Sequence, residues 1–228
     1  MIRFLVLFCL IPFYSSAYTI DGTRVIIDEN NNRTKVVLRN SKDEDVNIQV
    51  WMDNYPESGF SSKESFENYK LSHKGLVISP SIFKIPANSS KSIYVQRTSS
   101  INLPKNKESI FSFNLRSLPN EIEGNANVMF VAQQVLLKAI FRPKEITESR
   151  DSAESRLTYK CSDNKLIINN KTPFIYSPVN ISVGNKDFEY TKLITNGENL
   201  TTIKCGGHVT LTALNDFGFE LDYDLEEE

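Results

Sequence analysis

Histidine is nearly missing from this chain: it has two, His73 and His208, far apart in ordinary polar surroundings. There is no His-Glu-x-x-His zinc motif, no Gly-x-Ser-x-Gly nucleophile turn, no phosphate loop and no dinucleotide glycine fingerprint. Without a nucleophile–base or metal-ligand constellation, the chain is expected to be no enzyme and to hold no metal or cofactor. Charge of one sign is also lacking. Lys and Arg total 26 against 28 Asp and Glu, a formal net charge of −2. The basic field that a nucleic acid or an anionic membrane demands is not there. Long apolar runs are confined to the first residues, so no later segment is expected to insert in a membrane.

That first run is short. Met1, Ile2 and Arg3 lead into apolar residues 4–13, and Ser15 and Ala17 supply the small residues of a cleavage site. Residues 1–17 read as a secretory signal peptide cut after Ala17, leaving a soluble chain outside the cytoplasm. Of three cysteines, Cys9 leaves with the peptide, while Cys161 and Cys205 remain. In an oxidising compartment a disulfide between them is the natural reading, two free buried thiols the alternative. Neither belongs to a Cys-x-x-Cys or Cys/His cluster. The acidic end, 222–228, reads as a solvated tail. Sequons beginning at Asn32, Asn88, Asn170, Asn180 and Asn199 matter only in a eukaryotic source.

What is present is β-branched and aromatic, cut into short runs by Asn, Asp, Ser, Gly and Pro. Residues 23–27, 35–38, 46–52, 76–78, 92–96, 110–115 and 128–141 are candidate strands. Val46, Ile48 and Val50 alternate with Asn47, Gln49 and Trp51, the period of a half-buried strand. Seven strands at this spacing suggest an immunoglobulin-like sandwich. From 142 to 156 the composition turns charged, which reads as a boundary. Strand-like runs resume at 157–159, 165–168, 179–183, 191–194, 201–204 and 209–213, a second and smaller sandwich. The expected division is 18–143 and 144–228. For 55–70 the sequence leaves a loop and a short helical turn equally open.

The run 128–141 is apolar on both faces. Val128, Phe130, Ala132 and Leu136 share one, and Met129, Val131, Val135 and Leu137 the other. Two readings stand: a strand buried on both sides, or an edge strand kept apolar so that a partner can pair with it. Lys138 within this run reads by itself as a snorkelling surface cation, and Arg24 as an edge-strand charge that deters aggregation.

Several further motifs stand in order along the chain. They are Gly22-Thr23-Arg24-Val25-Ile26, the block LPKNKESIFSFNLRSLP at 103–119, and Lys138-Ala139-Ile140-Phe141-Arg142-Pro143. Asn170-Lys171-Thr172-Pro173-Phe174 and Asn215-Asp216-Phe217-Gly218 follow in the second half. Together they resemble the motifs of the pilus chaperones of the chaperone–usher pathway. The resemblance implies two immunoglobulin-like β-sandwich domains in an L shape. It implies a periplasmic chaperone that caps pilin subunits by lending them a strand and delivers them to an outer-membrane usher. Strand lending by pilus chaperones is itself a standard example of β-augmentation.

By position, the resemblance makes Arg24 and Lys138 the anchor of the subunit's terminal carboxylate, for which charge-assisted donors suit a partly dehydrated cleft. It makes Met129, Val131 and Gln133 donor-strand residues, Gln133 standing where the family commonly has a large apolar side chain. Glu108, Arg142 and Asp216 match an interdomain charge triad. Ser112 replaces a usual aromatic, and Ser81 follows Pro80 where a second proline is common. The short connection from Pro119 to Val128 resembles the short-loop branch. The other reading is a secreted immunoglobulin-like binding or adhesin module without chaperone activity, since a fold alone fixes no function. Whether the free protein caps its apolar strand by dimerising is left open.

Overall fold

A computed structural model describes residues 18–55, 75–98, 102–119 and 132–228. The signal-peptide reading of 1–17, nearly all of the 55–70 segment, and Met129 and Val131 lie outside the described residues. Among the described residues the regular structure is strand, apart from one short 3-10 turn.

Among the described residues, nine strands build the first sandwich. They are β1 (Tyr18–Ile20), β2 (Arg24–Asp28), β3 (Thr34–Asn40), β4 (Val46–Asn54), β5 (Leu76–Ser79), β6 (Ile82–Ile85), β7 (Ser90–Arg97), β8 (Ser109–Leu118) and β9 (Gln134–Arg142). One sheet runs β1-β3-β7-β5 and the other β2-β9-β8-β4-β6. Alternate apolar residues from both fill the space between them, among them Val25, Ile27, Leu38, Ile48, Ile93, Phe113, Leu115, Ala139 and Phe141. The chain changes sheet between β1 and β2. Gly22, at φ +98, takes a conformation there that a side chain would resist.

The second sandwich begins with a 3-10 turn, Asp151–Arg156, and continues through β10 (Leu157–Ser162), β11 (Lys165–Asn170), β12 (Ser177–Val183), β13 (Lys186–Glu189), β14 (Gly197–Lys204), β15 (Val209–Leu214) and β16 (Glu220–Glu227). Its strands form one wrapped sheet, β13-β12-β15-β16-β10-β11-β14. The charged 142–156 stretch is more than a linker, because Ile146 and Ala153 are buried in this second core. The core runs on to Tyr223 and Leu225. Cys161 and Cys205 are joined by a disulfide, with Cα atoms 5.8 Å apart.

One reading is corrected here. The acidic end is not a solvated tail: β16 pairs antiparallel with β15 and parallel with β10. Tyr223 and Leu225 point into the core, while Asp222, Asp224 and Glu226 point out. Glu228 accepts from Thr158 and Asn169 and pairs with Lys171. Only two apolar residues mark the strand period, and the outward carboxylates hide it.

Candidate functional site

β2 runs parallel to β9, and the first pair in register is Arg24 with Lys138. Across β8, Lys138 faces Ser112. In the next row Val25, Ala139 and Phe111 belong to the core. Arg24, Lys138 and Ser112 therefore project from the opposite, outer face of the sheet. Ile140 and Arg142 continue that face along β9. Ile140 is fully buried yet lies in neither core, so the outer face is covered at this point.

β9 changes character at Lys138. From Lys138 to Phe141 it is flanked by β2 and β8. From Gln134 to Leu137 it pairs with β8 alone, and among the described residues nothing occupies its other edge. The described part of the run is thus central at its end and an open edge before it, while 128–131 lie outside the described residues. A strand laid on that edge ahead of β2, parallel to β9, would end at Arg24 and Lys138.

Arg24 and Lys138 stand side by side without a counter-ion among the described residues. Among the described residues no carboxylate lies within ion-pair distance of either. Arg24 is 8% exposed. One guanidinium N–H donates to the Leu214 carbonyl across the junction (3.2 Å), and its Nε is buried without an acceptor. Burial, together with repulsion from Arg24, lowers the Lys138 ammonium to about 8. Burial also lowers the Arg24 pKa, assisted by Arg150 and opposed by Asp216 and Glu108. Arg24 therefore does sit on an edge strand, but it is buried and not solvated, and with Lys138 it forms a cationic pair that has no ion-pair partner among the described residues.

Beside the pair, a charged cluster joins the two sandwiches. Arg142 donates to Glu108 (2.7 and 2.8 Å) and, with two other contacts, to both oxygens of Asp216 (2.8 and 3.0 Å). Glu108 is fully buried. Its second oxygen accepts the Ile175 backbone N–H (2.7 Å), and its own N–H donates to the Pro173 carbonyl (2.8 Å). Burial works against ionising Asp216, but hydrogen bonds from Arg142 and the charges of Arg142 and Arg150 outweigh it and lower its pKa.

Two asparagine-led loops present these groups. Asn170 Oδ1 accepts from the Thr172 N–H and hydroxyl, and its Nδ2 donates to the Phe174 carbonyl. Asn170 is fully buried and holds this loop in shape. Asn215 Oδ1 accepts from the N–H groups of Phe217 and Phe219 and turns the chain between β15 and β16. At Gly218 (φ +87) a Cβ would come within 2.5 Å of Thr23 Oγ1. The turn that carries Asp216 therefore rests directly against the residue before Arg24.

The structure brings together Arg24 with Lys138, Glu108 with Arg142 and Asp216, and Cys161 with Cys205. Gln133 is exposed. Its backbone carbonyl accepts from the Ser117 N–H and the Tyr18 hydroxyl. Sequence reasoning missed Arg150. It reaches Asp216 (3.2 Å) and the Ile175 carbonyl (2.9 Å), and lies over the rings of Phe174 and Tyr176. Charge arithmetic was the available signal: a triad with two carboxylates and one arginine is one cation short of neutral.

The fold and the cluster define a two-domain immunoglobulin-like protein with a cationic, open-edged sheet face at its junction. Residues 17–147 match the model for the N-terminal domain of pili and flagellar-assembly chaperones, and the chain belongs to that family. It is 25% identical to the chaperone protein FanE of Escherichia coli, over 96% of this chain and 94% of that one. Its fold resembles that of the E. coli chaperone DraB, with TM-score 0.75 at 17% identity, covering 93% and 97% of the two chains. It also resembles a chain in the complex of the Salmonella enterica SafA pilin with the SafB chaperone, with TM-score 0.75 at 19% identity, covering 92% and 96%.

Proposed function

We propose that this chain is a periplasmic chaperone of pilus assembly, which caps a pilin subunit and delivers it to an outer-membrane usher. One observation carries the reading: two cations with no ion-pair partner among the described residues stand where the open edge of β9 meets β2. An extended segment of the subunit adds to that edge, parallel to β9. Its terminal carboxylate is held by Arg24 and Lys138 through charge-assisted hydrogen bonds.

Met129, Val131 and Gln133 are the donor residues that enter the subunit's groove. Met129 and Val131 each contribute about 1.5–3 kcal/mol of gross apolar burial. The polar Gln133 contributes less, so main-chain pairing and the carboxylate anchor carry a larger share. Glu108, Arg142 and Asp216 hold the two sandwiches at the angle that keeps the site open. The Cys161–Cys205 disulfide fits an oxidising compartment such as the periplasm. The named chaperone relatives favour this reading over a stand-alone adhesin module.

The test is periplasmic co-expression with a cognate pilin subunit followed by affinity capture. Arg24→Ala and Lys138→Ala are expected to be folded and to retain no subunit. Capture at the normal yield by both variants would overturn the carboxylate anchor.

A further inference from the structure

The junction cluster holds one more cation than its motifs imply. Arg150 precedes the 3-10 turn and its side chain is 9% exposed. It lies 3.2 Å from Asp216 and 3.5 Å from Glu108, whose side chain is fully buried. Glu108, Arg142 and Asp216 alone would leave a net charge of −1 in a largely dehydrated place. Arg150 brings the cluster to zero.

The cationic pair is the near neighbour of this cluster. Arg24 donates to the carbonyl of Leu214, which leads into the turn bearing Asp216. Thr23 abuts Gly218 of the same turn. Burial lowers the Arg24 pKa and the charge of Arg150 adds to that, while the charges of Asp216 and Glu108 oppose it. An excess carboxylate charge here would act as an internal counter-ion for Arg24 and compete with any carboxylate from outside.

We propose that Arg150 is a positioning residue that cancels the surplus carboxylate charge of the junction, leaving Arg24 and Lys138 free for the terminal carboxylate of a partner. This rests on the carboxylate-binding reading given above. A role in geometry alone would treat Arg150 as one more clamp. Charge cancellation makes a different demand: removing one carboxylate should compensate for removing Arg150.

The experiment measures the affinity of the full chain for a short N-acetylated peptide of alternating threonine and valine, as the free acid and as the C-terminal amide. Wild type is expected to prefer the acid. Arg150→Gln should lose about tenfold of that preference, while Arg150→Lys keeps it. The double variant Arg150→Gln/Asp216→Asn, again neutral, should regain it. Thermal unfolding followed by circular dichroism checks that each variant is folded. If Arg150→Gln alone does not fold, the neutral double variant is still expected to fold and to discriminate. An Arg150→Gln variant with undiminished preference overturns the inference, as does a double variant that fails to discriminate. A wild type indifferent to acid and amide overturns instead the carboxylate reading on which the inference rests.

Discussion

Arg24 and Lys138 stand opposite each other on parallel strands β2 and β9, and among the described residues no carboxylate pairs with either. Like charges in a half-dehydrated place cost stability. On the proposed function the pair is a site prepared for an anion that arrives from outside, and that proposal has consequences that can be measured.

The first concerns pH. Burial and Arg24 hold the Lys138 ammonium at about 8, so its charge is partly lost in mildly alkaline solution. A bound carboxylate favours the charged form, and binding is then coupled to proton uptake. Affinity for a subunit is expected to be constant below about pH 7 and to fall by up to about tenfold per pH unit above the free pKa. In the free protein the sign is opposite: the lowered pKa makes stability rise as pH passes from about 8 towards the unfolded lysine value. Lys138→Arg keeps its charge and should bind equally at pH 7 and pH 9.5. Calorimetric titration at both values checks this, and an unchanged wild-type affinity would remove Lys138 from the site.

Gly218 is the second test. An alanine there meets both a positive φ and the Thr23 hydroxyl. Gly218→Ala is expected to cost about 1–3 kcal/mol. Thr23→Ala should recover the steric part and leave the backbone part, which a double-mutant cycle in urea separates. Additive effects of the two changes would mean that the turn does not rest on Thr23.

The third prediction addresses the disulfide. Cys161 and Cys205 are 44 residues apart, and closing such a loop stabilises by about 4 kcal/mol on the chain-entropy estimate. Reduction, or Cys161→Ser with Cys205→Ser, is expected to lower the denaturation midpoint of the second sandwich. Hydrogen exchange should show the loss in β10, β11 and β14, with protection of β8 and β9 little changed.

Fourth, the last strand belongs to the core. Leu225→Ala should cost about 2–5 kcal/mol, because it empties a site only 3% exposed. Glu226→Gln, on the outward face of the same strand, should change stability by less than about 0.5 kcal/mol. Equal and small effects at both positions would restore the solvated tail.

Much of this protein was legible in its residues. Alternation in 46–52 marked β4, and the motifs at 22–26, 103–119, 138–143, 170–174 and 215–218 carried the family resemblance and pointed to Arg24, Lys138, Glu108, Arg142 and Asp216. Two cysteines outside a first segment that reads as a signal peptide pointed to the Cys161–Cys205 disulfide. These are local or ordered signals. Strand period and motif order survive in one dimension because the side-chain alternation of a strand and the φ/ψ needs of a turn are local physics.

Other features required three dimensions. Arg150 lies in an unremarkable charged stretch, and only the packing of that stretch on Phe174 and Tyr176 carries it to Asp216 and Glu108. β16 was hidden because its register on β15 and β10, more than its composition, decides which side chains are buried. The same holds for β9, whose apolar faces read alike in sequence. Which half is central and which is an open edge depends on where β2 begins, at Arg24. Pairing between distant strands is a long-range choice, made by the burial of whole faces, and no single segment contains it.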